Sequence, residues 1–147
     1  MRIYLACTVR GERAGVLAGR LICERLQIHG HEVLTTHLLA DDVERAEAAL
    51  TEAQVYQRDI GWLSRCDVLV AEASGSSYGV GFEVGYVIGQ ARQTGQRVLQ
   101  VYDAARQHAV SRLIAGNCDA ACTTFAYRTF EELGAFIDRE LWPLTVP

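Results

Sequence analysis

The amino-acid sequence predicts an α/β fold of the three-layer, Rossmann-like or flavodoxin-like type, with a five-stranded parallel sheet in the order 2-1-3-4-5. Short apolar runs alternate with segments whose apolar residues recur at helical spacing, and glycine- and hydroxyl-rich turns follow the first and third runs. Such alternation favours parallel strands joined by right-handed crossovers, with helices on both faces. A chain of 147 residues, half of them apolar, fits one domain spanning 1–147.

The first half of the chain predicts two strands and two helices. Residues 2–7 form an apolar run typical of a strand, and residues 8–11 form the turn after it. A helix follows and ends near Gly30, because its apolar residues keep helical spacing up to that point. Residues 32–37 predict strand two, and the alanine- and glutamate-rich residues 43–65 predict one long helix.

The second half continues the alternation. The predicted elements are strand three at 67–73, helix three at 80–94, strand four at 97–102, helix four at 107–115 and strand five at 121–125. Thr129 is the expected N-cap of a last helix that ends before Pro143.

Composition excludes several classes of function. The net charge of −4 argues against a protein that binds nucleic acid through a broad basic surface. The first apolar run is too short for a signal peptide and no stretch approaches a membrane span, so we expect a cytoplasmic protein. The five cysteines are scattered without metal-site spacing, which predicts reduced thiols that pack in the protein, and neither a metal nor a cofactor.

Residues 74–85 are the most informative segment for chemistry. They place Glu83 just past a serine- and glycine-rich turn, on the same helical face as Val80 and Val87. One interpretation is a structural first-turn glutamate whose ionised form the helix N-terminus favours, and the other is a functional carboxylate. In the predicted sheet order the turns at 8–11 and 74–79 flank one crevice.

Two further candidates have alternative interpretations. Arg10 lies in the first turn, where it is either a phosphate ligand alongside Ser76, Ser77 and the helix N-terminus, or an ordinary surface residue. Asp59 lies on the apolar stripe of its predicted helix. Burial requires a partner, so Asp59 is either an ion-pair partner of Arg58 or a proton-exchanging group of a functional site.

Six motifs resemble, in order and spacing, the nucleoside 2-deoxyribosyltransferase superfamily, and within it the Rcl-type 2′-deoxynucleoside 5′-monophosphate N-glycosidases. They are YLACTVRG at 4–11, LTTH at 34–37, QRDIGWL at 57–63, DVLVAE at 67–72, SYGVGFEVG at 77–85 and SRLIAG at 111–116. The resemblance covers nearly the whole chain. It implies a hydrolase that cleaves the bond between base and deoxyribose.

The resemblance also implies roles for individual residues. Glu83 matches the nucleophile, Asp59 the proton-handling acid, and Tyr4 the residue that holds the nucleophile. The implied substrate-binding residues are Thr8, Val9, Arg10, Gly11, His37, Ser77, Gly79 and Ser111. Within that set His37 belongs to the base-binding end. Ser111 matches a serine that reaches the phosphate from the other subunit of a homodimer.

Departures from the family pattern leave alternatives open. Cys7 and Thr8 stand where the family has glycine and serine, so the choice between deoxyribose and ribose is undecided. The expected reaction proceeds through a covalent glycosyl-enzyme on Glu83, with Asp59 assisting the departing base and then activating water. The alternatives are a CMP-type ribonucleotide N-glycosidase, a nucleoside 2-deoxyribosyltransferase and a non-catalytic nucleotide sensor.

Overall fold

The computed structural model describes residues 1–9 and 12–142. Its strands are β1 (Arg2–Ala6), β2 (Glu32–Val33), β3 (Val68–Glu72), β4 (Arg97–Asp103) and β5 (Cys122–Tyr127). Its α-helices are α1 (Val16–Ile28), α2 (Val43–Glu47), α3 (Glu52–Leu63), α4 (Tyr78–Thr94), α5 (Arg112–Ala115) and α6 (Phe130–Leu141). The sheet is parallel throughout, and its order β2-β1-β3-β4-β5 confirms the prediction.

Side chains of β1 alternate between the two layers that cover the sheet. Ile3 and Leu5 point into a core shared with α1 and α6, where Phe136 stacks on Phe125 at 4.5 Å between ring centroids. Tyr4 points to the other face, into a second core that holds Val84 and its neighbours on α4. The strand thereby delivers one polar atom, the Tyr4 hydroxyl, to the α4 side of the sheet.

Strand two is shorter than predicted, because a side chain replaces its backbone pairing. The Thr35 hydroxyl donates to the Leu5 carbonyl at 2.6 Å and accepts from the Leu5 N–H at 3.0 Å. These bonds occupy the backbone groups of β1 that a longer strand would use. The chain then turns through a short 3₁₀ helix, Thr36–Leu39, so the prediction that places His37 in a strand is wrong.

The predicted helix at 43–65 is two helices, α2 and α3, divided by a capping box. Thr51 accepts from the Gln54 N–H at 3.3 Å, and the Gln54 side chain accepts from the Thr51 N–H at 2.9 Å. This pair satisfies backbone donors at the start of a new helix and therefore fixes a helix boundary inside the segment. The break lets the end of α2 approach the middle of α3.

The helix predicted at 107–115 corresponds to α5, Arg112–Ala115, and is also shorter than predicted. The Asp103 side chain accepts from the Ala105 N–H at 2.9 Å and starts a 3₁₀ turn, Ala104–Arg106, before α5 begins at Arg112. An aspartate that bonds its own backbone two residues on competes with a continuous helix. Among the described helices, none combines the length and the apolar composition that crossing a membrane requires.

Candidate active site

A cleft of about 590 Å³ opens at the carboxyl ends of β1 and β3, which are neighbours in the sheet. One side of it is formed by Cys7 and Val9 after β1 and by residues 76–80 after β3, and the other by α2 and α3. This is the switch point of a doubly wound sheet, where ligands of such folds bind. The prediction that the two turns flank one crevice is confirmed.

Glu83 lies in this cleft and is held from below by the sheet. The Tyr4 hydroxyl donates to Glu83 Oε1 at 2.6 Å. Burial of the carboxyl raises the pKa of Glu83 to about 7, while the Tyr4 hydrogen bond opposes the shift and the charge of Asp59 adds to it. The interpretation of Glu83 as a first-turn glutamate whose ionised form the helix N-terminus favours is wrong, because α4 begins at Tyr78 and has no acidic residue in its first turn, and burial disfavours the ionised form.

Tyr4 is fully buried beneath the cleft. Burial and then the charges of Glu83 and Asp59 raise the pKa of Tyr4, so its hydroxyl keeps its proton. A permanent donor at this position stabilises the ionised form of Glu83 more than the neutral form. The sheet thus supplies a buried carboxyl together with one hydrogen bond that partly offsets its desolvation.

Asp59 lines the same cleft from α3, and Arg58 pairs with it. Arg58 Nε donates to Asp59 Oδ1 at 2.8 Å, and Arg58 Nη1 donates to Glu47 Oε1 at 2.7 Å. The guanidinium also lies over the Trp62 ring, 5.1 Å from its centroid. The interpretation of Asp59 as an ion-pair partner of Arg58 is confirmed, and the same side chain faces the cleft that holds Glu83.

His37 lies behind this arginine and does not line the cleft. Its Nε2 is 3.4 Å from Glu47 Oε1, and its ring is 5.5 Å from that of Trp62 between centroids. Burial lowers the pKa of His37, and the charge of Arg58 lowers it further. His37 Nε2 makes no hydrogen bond in the described part of the chain, so the ring packs beside Glu47 and Trp62 without holding either one.

The turn after β3 contributes backbone and hydroxyl groups to the cleft. Ser77 caps α4 by accepting from the Val80 N–H at 3.3 Å, and Ser76 and Gly79 lie beside it on the cleft surface. A helix N-terminus of this kind attracts anions. Val9 also lines the cleft, whereas the predicted ligands Arg10 and Gly11 lie outside the described residues.

Thr8 is buried where the two turns touch, and it does not reach the cleft surface. A Cβ on Gly75 would lie 2.8 Å from Thr8 Oγ1 and would overlap the Glu12 carbonyl. Only glycine allows this approach of the two backbones. Thr8 Oγ1 has no hydrogen-bond partner in the described part of the chain.

A network that the sequence did not suggest holds the two turns together. Ser74 donates its hydroxyl to buried Glu72 and accepts the Asp103 N–H at 2.8 Å. Arg106 Nε donates to the Ser74 carbonyl at 3.0 Å, and its Nη2 pairs with Glu12. The network connects the turns after β1, β3 and β4 beneath the cleft.

Ser111 is exposed just before α5 and does not line its own chain's cleft. Glu47 and Arg58 do line it, and sequence analysis did not assign either one to the site. Arg58 is adjacent to Asp59, which was the available signal for it. No pattern in the sequence pointed to Glu47, because this residue reaches the cleft only through the helix boundary at Thr51.

The fold and the cleft define an α/β protein with its ligand site at the switch point of a 2-1-3-4-5 sheet. Residues 3–139 match the Nucleoside 2-deoxyribosyltransferase family, and the chain belongs to that family.

Two similar proteins and one similar structure agree with this family membership. "Putative 2′-deoxynucleoside 5′-phosphate N-hydrolase 1" of Thermofilum pendens is 39% identical over 116 residues, covering 79% of this chain and 78% of its own. The 5-hydroxymethyl-dUMP N-hydrolase of Esox lucius is 33% identical over 135 residues, covering 90% and 88%. The structure of the CMP N-glycosidase BcmB of Clostridium botulinum shares the fold, with a TM-score of 0.65 at 18% identity over 96% of this chain and 100% of that one.

Proposed function

We propose that the protein hydrolyses the N-glycosidic bond of 2′-deoxynucleoside 5′-monophosphates and releases the free base and deoxyribose 5-phosphate. The observation that supports this most is the hydrogen bond from Tyr4 to Glu83 at 2.6 Å, in a cleft that also exposes Asp59. Two carboxyl groups in different environments are what glycoside cleavage requires. The names of the Thermofilum pendens and Esox lucius relatives point to the same substrate class.

In the first step ionised Glu83 attacks C1′ of the sugar. The bond between C1′ and the base nitrogen breaks, its electron pair stays with the base, and the base takes a proton from Asp59. Positive charge that develops on the sugar ring is stabilised by the Glu83 carboxylate. Tyr4 assists by increasing the fraction of Glu83 that is ionised near neutral pH.

In the second step Asp59, now ionised, takes a proton from water. The water oxygen forms a bond to C1′ and the ester bond to Glu83 breaks, which regenerates the carboxylate. General acid–base assistance of this kind contributes roughly 10²–10⁴ in rate. Arg58 Nε, 2.8 Å from Asp59 Oδ1, holds the Asp59 carboxyl in place in the cleft.

The phosphate would bind at the N-terminus of α4. Ser76, Ser77 and Gly79 line the cleft at this helix end, and Arg10 is the further ligand that the family resemblance implies. The phosphate is remote from the reacting bond. Its binding would position C1′ over Glu83, so its binding energy would contribute to the rate. The apolar side chains of Val9 and Leu38 in the cleft suit a sugar without a 2′-hydroxyl.

Base release from matched substrates tests the proposal. We expect a deoxynucleoside 5′-monophosphate to react at least about 100-fold faster, in kcat/KM, than its nucleoside, because the remote phosphate contributes binding energy. A ribonucleotide that reacts faster than its deoxy counterpart would favour a CMP-type glycosidase. Transfer to an added base without hydrolysis would favour a transferase, and no base release from any substrate would favour a nucleotide sensor.

A homodimer with shared sites is the second part of the proposal. The exposed apolar residues Phe82 and Leu113 flank a groove on α4, where Gly81 and Gly85 leave open space one turn apart. Bare glycines on a helix allow a second helix to approach closely. Ser111 lies next to this surface and could reach the cleft of a partner subunit.

Mixing two inactive variants tests the shared site. Glu83→Ala and Ser111→Ala subunits should form mixed dimers in which one cleft regains both wild-type residues. We expect partial recovery of activity after subunit exchange. A fully active monomer, or no recovery after exchange has been verified by mass, would contradict it.

We also infer a cytoplasmic location, since the five cysteines form no disulfide.

A further inference from the structure

The polar groups of the cleft follow one another in a fixed order. Ser77 caps the N-terminus of α4, Glu83 lies further along the same helix, and the charge of Asp59 on α3 acts on Glu83. Arg58 links Asp59 to Glu47, because one guanidinium bonds both carboxylates. Under the proposed function this order matches a nucleotide, with the phosphate at the helix, C1′ at Glu83 and the leaving base at Asp59. Glu47 then occupies the position beyond the base.

Glu47 is a fixed carboxylate with one oxygen still available. Its side chain is only 10% exposed, and Arg58 holds Oε1 at 2.7 Å. Within residues 1–9 and 12–142, Oε2 makes no hydrogen bond and is not among the fully buried polar atoms without partners. Glu47 nevertheless lines the cleft, beside the apolar residues Leu50 and Val55. A carboxylate oxygen that is held in place and faces the cleft is available to a hydrogen-bond donor of a bound ligand.

We propose that Glu47 reads the nucleobase by accepting a hydrogen bond from an amino or hydroxyl group on the edge remote from the sugar. Leu50 and Val55 provide apolar contact for the base. This inference rests on the proposed function and adds the class of base to it.

The selectivity follows from the charge of the acceptor. An ionised carboxylate has no proton to donate, so a carbonyl oxygen at the same place would be repelled and would leave Glu47 unpaired. Hydrogen bonds to charged groups discriminate more strongly than neutral ones. A base with a donor at this edge should therefore be preferred over its isosteric partner without one.

Two substrate pairs vary the donor on the outer edge of the base. dCMP has an amino group at C4 and an acceptor at N3, where dUMP has a carbonyl and an N3–H. The second pair differs by the donor alone, because 5-hydroxymethyl-dUMP has a hydroxyl that dTMP lacks. For the wild-type protein we expect the donor-bearing member of at least one pair to have a kcat/KM about 10- to 100-fold higher, the range of a charged hydrogen bond.

The variant Glu47→Gln should remove this preference. The amide oxygen can still accept from Arg58, while the amide N–H₂ now donates to the cleft, so dUMP should approach or exceed dCMP. Glu52→Gln is the matched control, because Glu52 also lines the cleft but is exposed at the start of α3. It should leave both ratios unchanged.

Three results would overturn the inference: ratios within twofold in both pairs, preference for the member without the donor, or ratios that Glu47→Gln leaves intact. If Glu47 only holds Arg58 in place, Glu47→Gln lowers all four rates by one factor and the ratios stay constant. Absence of base release from all four nucleotides would instead refute the proposed hydrolase. The two failures are therefore distinguishable.

Discussion

The two walls of the cleft present carboxyl groups in opposite environments. On the α4 wall, Glu83 has a buried tyrosine hydroxyl as its hydrogen-bond partner, and burial raises its pKa to about 7. On the opposite wall, which α3 forms together with α2 and which we call the α3 wall, Asp59 of α3 and Glu47 of α2 share the guanidinium of Arg58. The same functional group is thus desolvated on one wall and ion-paired on the other. Environments that treat two carboxyls differently allow them to take different chemical roles.

Removing the carboxyl of the α4 wall should have the largest effect. Glu83→Ala eliminates the proposed nucleophile, so we expect base release to fall by at least about 10⁴-fold. The measurement is base release together with nucleotide binding by calorimetry. Binding should persist, because the phosphate turn is untouched. A loss of binding as large as the loss of rate would assign Glu83 to ligand binding.

Changing the α3 wall should cost less. Asp59→Asn keeps the shape of the side chain but cannot transfer the proton, and we expect roughly 10²–10⁴-fold slower base release. The charge of Asp59 also raises the pKa of Glu83, so the pH at which kcat/KM rises should move downward in this variant. An unchanged rate and pH profile would leave Asp59 only its ion pair with Arg58.

Tyr4→Phe should raise the pH at which kcat/KM increases, whereas Asp59→Asn should lower it. The Tyr4 hydrogen bond lowers the pKa of Glu83, so its removal raises that pKa further above its ordinary value. The variant should lose about tenfold in kcat/KM near pH 6, the cost of one hydrogen bond to a charged group, and recover in alkaline solution. A uniform loss at every pH would mean that Tyr4 acts through packing alone.

The smallest expected effect is on stability. Because folding raises the pKa of Glu83 from 4.5 to about 7, the folded state favours its neutral form. That stabilisation is present below pH 4.5 and is lost as the pH rises through 7. The contribution of Glu83 to the free energy of unfolding falls by up to about 3 kcal/mol over this range. Glu83→Gln cannot titrate. Relative to wild type, its free energy of unfolding in urea should therefore increase between pH 4.5 and pH 8, and a constant difference would contradict the pKa shift.

The sequence predicted the sheet order and the position of Glu83, because both depend on local patterns of apolar and glycine residues. It did not predict the boundaries that single side chains set. The Thr35 hydroxyl ends strand two and the Thr51 capping box divides the long helix. The Glu47, Arg58 and His37 cluster follows from that division, since it joins three segments whose spacing in sequence gives no indication of contact.

The pKa of Glu83 could not be predicted from the sequence either. Residue order suggested a first-turn carboxylate that ionises easily, whereas α4 begins earlier, at Tyr78, and the burial of Glu83 becomes visible only in the folded chain. Local electrostatics of a helix end could be inferred from residue order, whereas desolvation depends on residues far apart in sequence.

Chemical rescue of Glu83→Ala with azide tests the central claim most directly. If Glu83 attacks C1′, the space left by its side chain should admit azide, and base release should recover with formation of 1-azido-2-deoxyribose 5-phosphate. Asp59→Asn, which keeps Glu83, is the control: azide should intercept its glycosyl-enzyme and give the sugar azide with the opposite configuration at C1′. Base release by Glu83→Ala at the wild-type rate without azide would contradict a covalent intermediate on Glu83.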